Sequence, residues 1–268
     1  MSHSRPAPGH GGKGTLGSHV VPLLRAAGHE VRVLTRRARA AADGVEYVTG
    51  DLLTGEGVGA AVDGAETVLH LAGGPKGDDT ATRALVAAAA GTGVRHLVYI
   101  SVVGADRVPL TWLRTKLESE RAVAGSGIGW TTLRAAQFHD LALTMAEKLA
   151  RLPVLPAPGG VRLQPVDSRK VAARLAELAL GAPAGPVPDL TGPRLYDLPA
   201  PVRPYLELHG RRRRPVLPVR IPGKAGRAYR AGANLTCRPR RSTRQAGPAR
   251  RRARSSRSAP RAGTGPAG

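Results

Sequence analysis

Gly11-Gly12-Lys13-Gly14-Thr15-Leu16-Gly17 is the stretch on which the reading of this chain turns. It fits G-x-x-G-x-x-G and runs into an Ala/Leu-rich segment at helical spacing over 16–27, then Gly28, then Val31-Arg32-Val33-Leu34-Thr35-Arg36-Arg37. Glycines in such a turn let the backbone bend tightly and approach a pyrophosphate. The helix that follows offers unpaired N–H groups and a partial positive charge to phosphate oxygens. In a glycine-rich chain the same spacing also describes a flexible linker, so context has to decide. A helix followed by a β-branched strand selects the nucleotide reading. The residues after that strand bear on the choice of nucleotide. An acid there would accept from the adenosine ribose, whereas Arg36 and Arg37 suit a 2′-phosphate. This favours NADP(H) over NAD(H), against the alternative of two ordinary surface arginines.

Outward from this turn, short β-branched runs alternate with longer helical patterns as far as residue 180. Strands are expected at 31–35, 45–48, 67–72, 96–101 and 130–134, and helices at 16–27, 79–91, 110–124, 137–152 and 168–180. Strands separated by helices of this length argue βαβ units and a parallel sheet. The fold class is therefore α/β: a Rossmann-like doubly wound parallel sheet with a small C-terminal subdomain after it. TVLHLA (67–72) and HLVYIS (96–101) are apolar at nearly every position, as strands buried on both faces are. Gly28, Gly93 and Gly181 sit where helices stop, and Asp167 precedes 168–180 as an N-cap. Beyond 180 the pattern weakens to a short edge strand at 216–220, interrupted by Pro218, and a helix at 224–233.

The chain has 268 residues and a net charge of +22, but the charge is unevenly spread. Residues 1–202 carry a net +4 and residues 203–268 a net +18, with Glu207 the single acid of that last quarter. One cysteine, Cys237, excludes an internal disulfide framework and a cysteine-rich zinc site. No apolar run approaches the roughly 20 residues that span a bilayer, and the first residues lack the apolar core of a secretory signal. A soluble, cytoplasmic protein is expected. From Thr236 to Gly268 there is no Val, Ile, Leu, Met, Phe, Trp or Tyr. Such a segment cannot offset the cost of ordering its backbone and is expected to be disordered.

Together these motifs resemble the atypical short-chain dehydrogenase/reductases, in particular the NmrA-like NAD(P)-binding group. The matching stretches are GGKGTLG at 11–17, LTRR at 34–37, GDL at 50–52, HLAG at 70–73, YISVVGAD at 99–106, Lys116, and QPVDSRKVAA at 164–173. The likeness covers about 11–235, with substrate-side elements over about 136–235. It implies that Gly11, Gly14, Thr15, Leu16 and Gly17 cradle the pyrophosphate. It places Asp51 and Leu52 beside the adenine. Leu71, Ala72 and Gly73 would line the ribose and pyrophosphate. Ser101 and Val102 would face the nicotinamide, and Lys116 would bond its ribose. Lys116 and Ser101 are the candidate catalytic residues. The implied activity is NADPH-dependent reduction of a small carbonyl or quinone-like acceptor.

Three departures qualify that reading. The short-chain dehydrogenase pattern Tyr-x-x-x-Lys is here Trp112-Leu-Arg-Thr-Lys116, a departure that the resemblance implies for many NmrA-like members as well. An indole N–H only donates and does not titrate usefully, so Trp112 cannot be the acid/base. A non-catalytic NADP(H)-sensing regulator is therefore the second reading. Next, the family has an apolar strand before the first glycine, where this chain has Ser4-Arg-Pro-Ala-Pro-Gly-His10, with two prolines and no β-branched residue. No strand is expected there, and 1–10 is read as aberrant. Pro-Gly-His written CCT-GGT-CAC and read one base later begins Leu-Val-Thr, so a shifted reading frame or a wrongly chosen start is the expected origin of the segment. A second frame shift near 236–237 accounts for the basic tail. The rival for the tail is a nucleic-acid-binding arm whose ten arginines attract phosphate without aromatics to stack bases. Of the remaining residues, His70 reads as a packed core histidine. His139-Asp140 reads as a helix start or a substrate contact. Asp78-Asp79 reads as a helix start where acids suit the dipole.

Overall fold

Alternating apolar strands and amphipathic helices leave each strand with two faces to bury, and a parallel sheet with helices on both sides does that. In a computed structural model of the chain, which describes residues 7–10, 14–74, 77–149, 151–197 and 215–236, the sheet takes this form. Its strands are β1 (Ala7–His10), β2 (Val31–Thr35), β3 (Val45–Thr49), β4 (Thr67–His70), β5 (His96–Val102), β6 (Gly129–Ala135) and, after β7 (Leu155–Pro158) and β8 (Arg162–Leu163), β9 (Gly185–Pro186). The order is β3-β2-β1-β4-β5-β6-β9, every neighbouring pair parallel. The chain runs outward from β1 through β2 to β3, then crosses to β4 and runs the other way. This reversal between β1 and β4 is the switch point where such sheets bind ligands.

The helices are α1 (Thr15–Ala26), α2 (Val58–Val62), α3 (Asp78–Ala89), α4 (Thr111–Ala124), α5 (His139–Leu149), α6 (Ser168–Leu180) and α7 (Gly223–Arg230). Leu16, Val20 and Leu24 of α1 and Val171, Leu175 and Ala179 of α6 cover one face of the sheet against Leu69, Val98 and Ile100. Val58 and Val62 of α2, Leu85 and Ala89 of α3 and Val123 of α4 cover the other against Val68, Leu97 and Tyr99. β8 pairs antiparallel with β10 (Tyr196–Asp197), and β7 pairs parallel with β11 (Val216–Val219). β11 holds Pro218 and bonds one strand only, as an edge strand must.

One expectation is overturned at the centre of the sheet. Ala7–His10 forms a strand despite Pro8, aligned with Val31–Leu34 on one side and Leu69–His70 on the other. The physical reason is the slot itself. With nothing between β2 and β4, both would leave a row of buried backbone N–H and C=O groups unpaired. Filling that slot outweighs poor local propensity, and Pro8 forfeits a single donor. The helix stops divide as well. Gly28 has φ 83° and closes α1 in the left-handed region, whereas Gly181 caps α6 with φ −91° and ψ −178°, which any residue adopts. Asp167 caps α6 as expected, accepting from the Arg169 N–H at 2.8 Å. Gly11, Gly12 and Lys13, and the tail from Cys237 onward, lie outside the described residues.

Candidate functional site

The carboxyl ends of β1, β2, β4 and β5 bring the expected positions to one edge of the sheet. α1 begins there, with Gly14 as N-cap, no side-chain cap and no acid in its first turn, so the amides of that turn remain available to an anion. Thr15 is exposed, while Leu16 and Gly17 are buried and seat the helix on the sheet. Arg36 and Arg37 follow β2, both exposed, and neither forms an ion pair among the described residues. Asp51 Oδ1 accepts from the Leu53 N–H at 2.8 Å and shapes the turn after β3. Leu52 is buried against the α2–α3 side of the core, so its side chain packs inward. Leu71 and Ala72 are half-buried at the end of β4, and Gly73 is exposed beside them.

The centre of the site is Lys116. It stands on the sheet-facing side of α4, 7% exposed. Its Nζ lies 2.8 Å from Asp78 Oδ2 and 5.3 Å from the centre of the Tyr99 ring. A side chain at Gly73 would put its Cβ 3.0 Å from Lys116 Nζ, so the glycine leaves open the space beside the ammonium. Asp78 is the first residue of α3, and its Oδ1 accepts from the Gly74 N–H at 2.7 Å. Behind it, the Thr82 hydroxyl donates to the Asp78 carbonyl at 2.7 Å and lies 2.9 Å from His70 Nε2. His70 stacks on Tyr99 at 5.2 Å, a packed core histidine as its strand predicted. Ser101, at the end of β5, is buried, and its hydroxyl has no hydrogen-bond partner among the described residues. Val102 is half-buried next to it.

Burial pulls the Lys116 ammonium toward neutrality, but Tyr99 and Asp78 outweigh it and hold its pKa above the ordinary lysine value. Burial likewise raises the Tyr99 phenol, with the Lys116 charge a partial offset. The site therefore keeps a buried cation and a protonated phenol at neutral pH. An uncapped helix start, a glycine leaving room beside an ammonium, and an orphaned buried hydroxyl at the sheet edge together fit a dinucleotide.

Residues 11–178 match the model of a family described as NAD(P)H-binding. The chain belongs to that NAD(P)H-binding family. The chain is 32% identical over 169 residues to a (4-alkanoyl-5-oxo-2,5-dihydrofuran-3-yl)methyl phosphate reductase of Streptomyces griseus, covering 61% of this chain and 59% of that protein. It is 31% identical, with the same coverage, to an NAD(P)H azoreductase of Xenophilus azovorans. The chain thus matches about three fifths of the length of these relatives. In architecture it is similar to an NADPH-dependent quinone oxidoreductase of Escherichia coli complexed with NADPH, with TM-score 0.73 and 21% identity, covering 85% of this chain and 90% of that one. It is also similar to a Citrobacter triphenylmethane reductase complexed with NADP(H), with TM-score 0.69 and 20% identity, covering 85% and 91%. At these identities the structural likeness shows the fold.

In this NAD(P)H-binding protein Trp112 stands four residues before Lys116 on α4. It is half-buried in a small apolar cluster with Val108, Leu113 and Tyr229, the last from α7. Gly104, at φ 87°, lets this loop pass under the Ala233 carbonyl, where a Cβ would come within 2.8 Å. The segment around α7 therefore packs on the loop between β5 and α4. At the start of α5 the His139 backbone N–H donates to the Val166 carbonyl, and Asp140 Oδ2 accepts from the Ser168 hydroxyl at 3.1 Å. Asp78 and Tyr99 are the site residues that sequence reasoning passed over. The sequence alone gives Asp78 and Asp79 the same part at the start of α3, but only Asp79 faces outward, where it pairs with Arg83 on the helix surface. Two clefts of about 310 Å³ lie away from this edge, one at the amino ends of β4 and β5 around His96, the other between α4 and β6 around Trp130.

Proposed function

We propose that this chain binds NADPH along the carboxyl edge of β1, β2, β4 and β5 and uses it to reduce a small carbonyl or quinone-like acceptor. The observation that carries the reading is Lys116: a buried ammonium held beside Gly73, within the edge formed by the other candidate residues. A bound nicotinamide supplies the hydride, and the protein supplies position and charge. The first amides of α1 hold the pyrophosphate. Arg36 and Arg37, exposed and without an ion pair among the described residues, hold the 2′-phosphate and set the preference for NADPH. Lys116 donates to the nicotinamide ribose and places positive charge where an acceptor oxygen gains electrons. Ser101 offers its unspent hydroxyl on the nicotinamide side. The printed activities of the two relatives, a reductase and an NAD(P)H azoreductase, belong to the same class of chemistry.

Trp112 is compatible with a second reading, a non-catalytic NADP(H) sensor, because no titratable phenol occupies the tyrosine position of the short-chain dehydrogenase pattern Tyr-x-x-x-Lys. One experiment separates the two. NADPH binding is measured by calorimetry, and NADPH consumption is then followed with quinones, azo dyes and small carbonyl compounds. Binding with turnover of at least one class supports the reductase. Binding without turnover of any supports the sensor. Absence of binding removes both.

A further inference from the structure

We propose that Asp78 is a positioning residue whose two carboxylate oxygens join Lys116 to the loop after β4, so that ammonium and backbone meet a nucleotide as one unit. This rests on the nucleotide reading above and adds to it a residue that neither the motifs nor the relatives assign.

An acid at the first position of a helix ordinarily faces water and serves the dipole. Asp78 does not, since its side chain is 8% exposed. One oxygen takes the Lys116 ammonium at 2.8 Å and the other the Gly74 N–H at 2.7 Å, both at charge-assisted distances. It thus spans α3, α4 and the loop 71–74, which leaves the switch-point strand β4. An ammonium has three donors. Asp78 holds the ammonium as an ion pair, the Tyr99 ring centre lies 5.3 Å from it, and Gly73 leaves the space on its other side open. Without Asp78 the lysine could turn and the loop could drift independently.

The charge argument points the same way. The charged and titratable groups around Lys116 are Asp78 from α3, Tyr99 from β5, His70 from β4 stacked on Tyr99, and Glu120 one turn further along α4. Glu120 is engaged by Arg134 of β6 through two hydrogen bonds, at 2.8 and 2.7 Å. Asp78 is therefore the carboxylate that answers the Lys116 charge. With that charge removed, burial acts against the ammonium and Lys116 releases its proton at lower pH.

The test uses the full chain as wild type, Asp78→Asn and Asp78→Glu. Asn keeps the shape and an oxygen for Gly74 but loses the charge, and Glu restores the charge. The first readout needs no nucleotide. Acylation of Lys116 relative to exposed Lys170 is followed across pH by peptide mass spectrometry. Asp78→Asn should raise the relative rate about tenfold at neutral pH, and Asp78→Glu should return it toward wild type. The second readout is NADPH affinity against pH. Asp78→Asn should begin to lose affinity at a lower pH than the wild type, falling severalfold by about pH 10 while the wild type stays nearly flat. An unchanged relative acylation rate in Asp78→Asn, or an affinity loss that does not vary with pH, overturns the proposal. Should Asp78→Asn fail to fold, Asp78→Glu and the wild-type profile decide. A wild-type Lys116 midpoint below the ordinary lysine value of about 10.4 overturns it as well. A wild type that binds no NADPH removes the nucleotide reading, while the acylation arm still decides the clamp.

Discussion

Replacing Gly73 with Ala places one methyl group where Lys116, Asp78 and a bound ribose would meet. The new Cβ stands 3.0 Å from Lys116 Nζ and 3.8 Å from Asp78 Oδ2. Non-bonded heavy atoms of this kind settle at about 3.5–4.0 Å, so the ammonium must yield by roughly half an ångström. It is held at 2.8 Å by Asp78, and stretching that contact costs about 1 kcal/mol, the scale of one net hydrogen bond. Against this, alanine narrows the unfolded ensemble by about 0.4–1 kcal/mol. Gly73 is not among the glycines with positive φ, so the backbone adds no strain. The two effects nearly cancel, and Tm should move by less than about 4 °C. Binding should not escape so lightly. The methyl group blocks the open side of the ammonium, and losing a charged hydrogen bond costs about 1.5–3 kcal/mol, or roughly ten- to hundredfold in Kd. Scanning calorimetry and NADPH titration check the two halves. An unchanged Kd with an unchanged Tm would place the nucleotide elsewhere and refute the reasoning. A fall in Tm beyond about 4 °C would show instead that Lys116 cannot yield.

Three further outcomes are expected. Changing Arg36 and Arg37 together to Ala should weaken NADPH by about 1–3 kcal/mol and leave NADH nearly untouched, as read by titration calorimetry; equal losses would dismiss the 2′-phosphate clamp. Replacing Ala7-Pro8-Gly9-His10 with Ile-Leu-Val-Thr should raise stability by several kcal/mol, because the central strand gains large apolar side chains and its missing donor, and an unchanged Tm would sink the idea. Burial lowers the His96 pKa below its ordinary 6.5, so the unfolded chain binds the proton first and stability falls as pH drops through and below that value. His96→Gln should flatten denaturation midpoints measured between about pH 7 and pH 5, and an identical slope in the variant would refute this.

Much of the fold was legible because its signals are local. β2 and α6 fall on their expected residues, and the ends of the other long elements move by a few residues. Periodicity, the apolar runs of β4 and β5, and the Asp167 cap each lie within a dozen residues of chain. β9 was not legible, since Gly185-Pro186 has no strand propensity and pairs only because β6 presents an open edge. β1 was misjudged for the related reason that local composition was weighed without the slot between β2 and β4. In the site, the glycines and arginines were readable from their spacing around α1 and β2, and Lys116 from the family resemblance. The state of Lys116 was not, since a lysine followed by Leu117 and Glu118 in an amphipathic helix reads equally as a solvated surface residue.

The sequence by itself determined that this chain builds a parallel α/β sheet around a glycine-rich turn, because side-chain period and turn chemistry act over a few residues and need no partner. Only the tertiary structure decided that Lys116 is buried and charged, that Asp78 answers it, and that Tyr99 and Ser101 face the same edge. Those facts depend on α3, α4, β4 and β5 coming together. The ammonium of one helix, the carboxylate at the start of another and a backbone N–H between them acquire their chemistry only once packing has excluded water and fixed them within about 3 Å.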